Sequence, residues 1–280
     1  MNKYKLTEET ITATGGAVLH RIQAAVDFKL ADGTTVPAGS RGGWLENEEN
    51  LSQAGEAWVY GDARVYGKAC VSGNARVYGS AEVYDDAKVY GNAKVDGGAR
   101  VYGAAEVYGD SSVYGNADVY GNARVYGNAQ VDGDALVCGN AEVRGGARVY
   151  DGARVYGSAS VNGAAEVIDE AQVYGNAQVG GDARVDGRAE VCGEAQVKDT
   201  NDYSVFKNVW SSGRWFTYTR SNGMWTVGCF RGTGDELIAK AYKDSELSGK
   251  CYEAIVRVQE AIDRERNVHA EKNGDMDDPK

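Results

Sequence analysis

Ala117-Asp118-Val119-Tyr120-Gly121-Asn122 is followed at once by Ala123-Arg124-Val125-Tyr126-Gly127-Asn128, and this doubled six-residue unit decides the fold. Working outward from it, Val recurs at every sixth position from Val59 to Val197 without a slip. Two residues before each Val stands Ala, from Ala57 to Ala195, with Ser111 the one exception. Gly usually follows two residues after Val, and Asn or Asp often comes next, as in Gly91-Asn92. A period of six matches neither the 3.6-residue helix nor the alternation of a long strand. It matches a short strand followed by a corner. Alternate strand residues point to opposite faces, so Ala and Val share the inward face and the residues flanking Val point out. Gly and Asn accept the positive φ that a corner needs. Val packs well on a pleated surface.

These Ala-x-Val-x-Gly-x hexads resemble the hexapeptide repeat of left-handed parallel β-helices. The resemblance implies a dominantly all-β protein, a triangular prism with three hexads per coil, over residues 44–199. The hexads fill about eight coils, and Leu45 and Leu51 keep the same phase, so a partial coil precedes them. Each coil of such a rod supports only its neighbours, and open ends invite edge-to-edge association. The non-repeating ends are therefore expected to cap it: residues 1–43 as an N-terminal cap and 200–266 as a small α+β domain, with 267–280 a charged, fraying tail.

The chain has 280 residues, 38 Gly and only 2 Pro, which excludes a Pro-rich linker and fits many ordered corners. A net charge of −11 is the wrong sign for a nucleic-acid binder and serves solubility or a basic partner. Five widely spaced Cys without a CxxC argue against a disulfide framework or a zinc site and for a reducing, cytoplasmic setting. No segment is long and apolar enough to cross a membrane, and the N-terminus lacks the apolar core of a signal peptide.

With three hexads per coil, outward residues stack into ladders. One holds Tyr66, Tyr84, Tyr102, Tyr120, Cys138, Tyr156, Tyr174 and Cys192. Beside it Arg64, Glu82, Arg100 and Asp118 alternate in sign, which favours this register. The six tyrosines either stabilise the sheet by stacking or form an aromatic platform for a partner protein, a sugar or a second subunit.

Chemistry is sparse. The best-known enzymes of this fold are acyl-CoA-dependent acyltransferases, and the resemblance implies a His acting as general base near a cleft between subunits. Here His20 and His269 both lie outside the repeat, and no loop interrupts the hexads. A γ-type carbonic anhydrase needs three His on zinc. The hexads carry no Thr array of the ice-binding kind. No catalytic residue, metal or cofactor is assigned.

At the ends, Ala17–Ile22 and Ala24–Leu30 read as strands with a turn at Asp32-Gly33. Arg214–Arg220 and Met224–Phe230 flank Ser221-Asn222-Gly223 as a hairpin. Trp210, Trp215 and Trp225, with Tyr203, Phe206, Phe216 and Phe230, are expected to form an aromatic core. Thr233-Gly234-Asp235-Glu236 is a capping box that starts a helix. A second helix after Ser248 is expected to bury Cys251, Ile255, Val258 and Ile262. Gly228-Cys229-Phe230-Arg231-Gly232-Thr233 resembles a motif of small C-terminal domains in phage-borne hexapeptide proteins, making Trp215, Trp225, Cys229 and Arg231 candidate site residues, with Cys229 expected as a buried structural thiol. The N-terminal segment resembles uncharacterised hexapeptide proteins of enteric bacteria and their prophages. Together these features lead to the expectation of a non-catalytic scaffold or binding module. It would be a homo-oligomer, trimer or dimer, docking a host or phage protein and acting in counter-defence. Acyl transfer is the alternative.

Overall fold

The computed structural model describes residues 2–210 and 212–274, with side chains described to 268. The chain divides into two compact units, one up to Thr200 and one from Asn201.

The first unit opens with β1 (Tyr4–Thr12), β2 (Val18–Ala24), β3 (Phe28–Lys29), β4 (Thr35–Val36) and β5 (Arg41–Leu45). The hexads then supply one two-residue strand each, from β6 (Trp58–Val59) to β29 (Gln196–Val197). Every third of these strands pairs in parallel, giving three faces; the first of them continues through β5 into the cap. Leu51 bridges Val71 in parallel, so the partial coil expected ahead of the hexads is present and the solenoid makes about nine turns. Every hexad Val from Val59 to Val197 is fully buried, and the Ala positions are at most 1 % exposed. Ser111 takes the Ala position inside the core because its hydroxyl can donate to carbonyls of Tyr108 and Val125, at 2.9 and 3.2 Å. The corners are left-handed: Gly121 has φ 72°, and Asp85, Asp151 and Asp169 adopt 59–60° where Gly is replaced. Asp85 and Asp169 are held there by the amide N–H of Gly103 and Gly187, one coil on.

The N–H groups on either side of each buried Val donate to carbonyls of the next coil, as Trp58 N does to Ala75 O at 3.0 Å and Tyr60 N to Val77 O at 2.8 Å. The carbonyls of the Ala and Val positions therefore face the N-terminal end of the rod. The cap meets them with donors. Lys3 Nζ donates to Ala57 O (2.9 Å) and Gly55 O (3.3 Å), Asn50 Nδ2 to Ala69 O (2.9 Å), and Tyr4 OH to Leu51 O (2.7 Å). Burial lowers Lys3 to about 8. At the other end an acceptor takes the matching role: Thr200 Oγ1 receives the N–H of Arg184 at 3.2 Å. The β1–β2 hairpin continues the first face antiparallel to β5, so the parallel edge is closed. β1 went unread in the sequence, and the expected strand at 24–30 is broken: β2 ends at Ala24 and only Phe28–Lys29 pairs, with β4.

The second unit is a four-stranded antiparallel sheet, β30 (Tyr203–Lys207), β31 (Trp215–Thr219), β32 (Met224–Val227) and β33 (Phe230–Gly232), with helices α1 (Gly234–Asp244) and α2 (Glu246–Gly274). The hairpin forms as expected, Gly223 taking φ 63°, and Thr233 caps α1 reciprocally with Glu236. The α2 face corrects the sequence reading. Val256 and Gln259 are buried, while Val258 and Ile262 are 51 % and 39 % exposed. Ile255 packs against the core as expected, but Val256 beside it enters the cluster of Phe216, Trp225, Val227 and Leu237, which turns Val258 and Ile262 outward. The helix also continues to Gly274, past the point at which charge alone implied fraying; 275–280 lie outside the described residues.

Candidate functional site

The tyrosine ladder on the first face is built by the hexad register. β7 (Arg64–Val65), β10 (Glu82–Val83), β13 (Arg100–Val101) and β16 (Asp118–Val119) pair with Val opposite Val, so the residues after each Val come into column. Tyr66, Tyr84, Tyr102 and Tyr120 stack with centroids 4.8–5.0 Å apart and planes within 9°. Tyr156 and Tyr174 continue the column at 4.9 Å and 3°. The spacing is that of one parallel strand to the next, so the backbone sets the stack. Beside the rings, Arg100 grips Asp118 through Nε and Nη2, the Nε bond measuring 2.7 Å, and Arg64 meets Glu82 at 2.8 Å.

The six residues are not equivalent. Tyr66 is 8 % exposed and packs, with Tyr84 beside it, against Ala13, Leu19 and Trp44 of the cap. The rings from Tyr102 onwards lie outside that cap cluster and are half-buried. Tyr66 OH donates to Glu82 (3.3 Å), Tyr156 OH to Gln172 (3.0 Å) and Tyr174 OH to Glu190 (3.3 Å), which pins the rings against the sheet. Burial, helped by the neighbouring Tyr102, pushes the Tyr84 phenol up to about 12. A hydrogen bond with Cys138, then burial, pushes Tyr120 up to about 12 as well. A second stack, Tyr90, Tyr108 and Tyr126 on another face, has the same geometry, 4.8–4.9 Å and 2°. Its sequence signal is the same column rule applied to the next hexad.

The C-terminal candidates do not converge. Trp225 is 2 % exposed and belongs to the core. Trp215 stands outside that cluster, with Lys207 Nζ 5.3 Å from its ring centroid. Arg231 is exposed. Cys229 is exposed at the rim of a hollow of about 70 Å³, not a buried thiol as expected, because it sits in the turn between β32 and β33. His20 is tied down in the cap, its Nδ1 donating to Thr7 O at 3.1 Å, and the side chain of His269 lies outside the described residues. Among the described residues no His, Cys, Asp and Glu cluster could hold a metal ion, and no helix is long and apolar enough to cross a membrane.

Residues 69–85 and 117–133 match the family profile of the YdcK β-solenoid repeat. The first match starts on the face of β8 (Cys70–Val71) and the second on the face of β16, so what they share is the hexad phase and not one side of the prism. No curated protein matches the chain. The matched repeats and the three parallel faces together identify the chain as a β-solenoid, or β-helix, protein.

Proposed function

We propose that this β-solenoid is a non-catalytic scaffold whose tyrosine column, Tyr102 and Tyr120 continuing to Tyr156 and Tyr174, docks a protein partner. The partner is a host or phage protein or a further subunit of the same chain. The observation that carries the reading is the column itself: rings fixed 4.8–4.9 Å apart and nearly parallel. A rigid aromatic surface loses little side-chain entropy on contact, and Tyr is enriched at protein interfaces for that reason. Beside the first four rings the face is charge-paired across coils, Arg64 with Glu82 and Arg100 with Asp118, which offers polar rim contacts next to Tyr102 and Tyr120.

Acyl transfer finds less support. The one described His spends a ring nitrogen on a backbone carbonyl inside the cap, and nothing positions it as a base toward an acceptor.

The test is site-specific photocrosslinking in the source cells with p-benzoylphenylalanine replacing Tyr120, or, as a control, Gln178 on another face. A discrete crosslinked protein from the Tyr120 position, absent from the control and lost on Tyr102→Ala, is expected. Equal crosslinking from both positions would remove the tyrosine column from the reading.

A further inference from the structure

The three strand ladders share a rule. Where a charged residue precedes Val, its neighbours one coil away are opposite in charge or neutral: Arg64 faces Glu82, Lys88 faces Glu106, Arg124 faces Glu142 and Arg148 faces Glu166. Among the described residues one pair breaks it. On the face of β6, Arg76 of β9 (Arg76–Val77) stands directly opposite Lys94 of β12 (Lys94–Val95). Directly opposed like charges destabilise a sheet. The local fold offsets only half of the conflict. Asp32, at the turn of the β3–β4 hairpin, accepts from Arg76 at 2.7 Å and has its carboxyl held far below the usual range by that bond. Lys94 has no ion-pair partner among the described residues.

None of the nearby carboxylates among the described residues is ion-paired with Lys94. Asp32 is on Arg76, Asp96 accepts the N–H of Gly97, and Asp110 accepts from Asn92 Nδ2 at 2.8 Å. The two cations also line concave surface on both sides. One open hollow of about 380 Å³ lies between them and Tyr60 and Tyr78. Another of about 500 Å³ lies between them and Asp32, Asn92 and Asp110; its two carboxylates leave the tyrosine side as the one open to an anion. Tyr60 and Tyr78 differ from the flat stacks: their rings meet edge to face, 6.5 Å apart at 85°, so the pair forms a corner and not a plane. A protein of net charge −11 thus holds two opposed cations, one without an ion pair, in a concave site with an aromatic corner.

We propose that the Arg76–Lys94 groove is a binding site for an oxyanion, phosphate or carboxylate, carried on a sugar-sized ring. The oxyanion bridges Lys94 and Arg76, which turns the like-charge opposition into a chelating pair. The ring packs in the Tyr60–Tyr78 corner. The site is separate from the tyrosine column, which lies on another face.

Isothermal titration calorimetry on the full chain tests this with glucose 6-phosphate, glucuronate, glucose and inorganic phosphate. One or both ring anions should bind at least about tenfold more tightly than glucose or inorganic phosphate, a gap of ~1.4 kcal/mol. Tighter binding of glucose 6-phosphate assigns phosphate as the native group, and tighter binding of glucuronate assigns carboxylate. Lys94→Arg should retain binding. Lys94→Glu should abolish it while raising the unfolding temperature by about 1–3 °C, because it pairs Arg76 and restores the alternation. The rise also shows that the variant folds. Absence of binding by either ring anion at millimolar concentration, equal affinity for inorganic phosphate, or unchanged affinity in Lys94→Glu would overturn the proposal.

Discussion

The rings of Tyr84 and Tyr102 lie 4.9 Å apart with their planes 1° from parallel. That separation is the distance between adjacent strands, so the stack follows from the backbone with no adjustment of side chains. Stacked aromatic pairs contribute about 0.5–1.5 kcal/mol each beyond the area they bury. Tyr102 has a ring on either side. Tyr102→Ala should therefore cost about 1–3 kcal/mol in urea unfolding, and Tyr102→Phe, which keeps both stacks, should cost under about 0.5 kcal/mol. A neutral Tyr102→Ala would mean that the rings touch without stabilising.

The same burial makes the solenoid sensitive to alkali. Tyr84 and Tyr120 are pushed up to about 12, and Tyr66 and Tyr174 are raised further. A phenol whose folded pKa lies above its unfolded value favours the protonated folded state. Its stabilisation is complete below the unfolded value near 10 and is lost as pH climbs through the folded one. Stability should thus be flat to about pH 10 and fall steeply towards pH 12, with tyrosinate absorbance appearing late and together with unfolding. Tyrosinate signals for these rings at pH 10 in the folded protein would contradict the packing described.

Corner geometry predicts opposite signs for two substitutions. Gly97 has φ 68°, and a Cβ there would lie 2.7 Å from Gly115 O. Gly97→Ala should cost at least about 1–2 kcal/mol from the left-handed backbone alone. Asp151 already bears that strain at φ 59°, without the carboxylate-to-amide bond that holds Asp85 and Asp169. Asp151→Gly should raise thermal stability, whereas Asp85→Gly should gain less or lose, since it gives up its bond to Gly103. Calorimetry of the three variants side by side reads the signs.

The repeat was legible because a single column rule governs it: Val at every sixth position fixed the faces, the register and the ladders, down to Leu51 bridging Val71. The ends obey no such rule. Lys3 and Asn50 gain their roles only because the coils turn carbonyls towards them, a property of the assembled rod and not of any local spacing. Val258 looked buried because helical spacing gives a stripe but not its phase; Val256 won the core through contact with Leu237 and Trp225 from other elements. Tyr66 read like its five companions, and only the packing of Leu19 and Trp44 sets it apart.

Cap chemistry supplies a further prediction. Lys3 Nζ is the donor to Ala57 O and Gly55 O at the end of the rod. Lys3→Met keeps most of the bulk and removes the donor, so stability should fall by about 1–3 kcal/mol. Hydrogen exchange should rise first in the coils next to the cap, because each coil depends on its neighbours. Uniform loss of protection along the whole rod would show that the cap acts on the solenoid as one unit.

The central claim is that the tyrosine column is where this protein meets a protein. Native mass spectrometry of the purified chain, alone and after incubation with extract of its source cells, addresses it most directly, using wild type and the Tyr102→Ala/Tyr120→Ala double variant. The account predicts a discrete complex, homo-oligomeric or with one captured protein, that carries no coenzyme A and is lost in a double variant that remains folded. A complex that survives in the double variant, or an oligomer that retains coenzyme A, would contradict it.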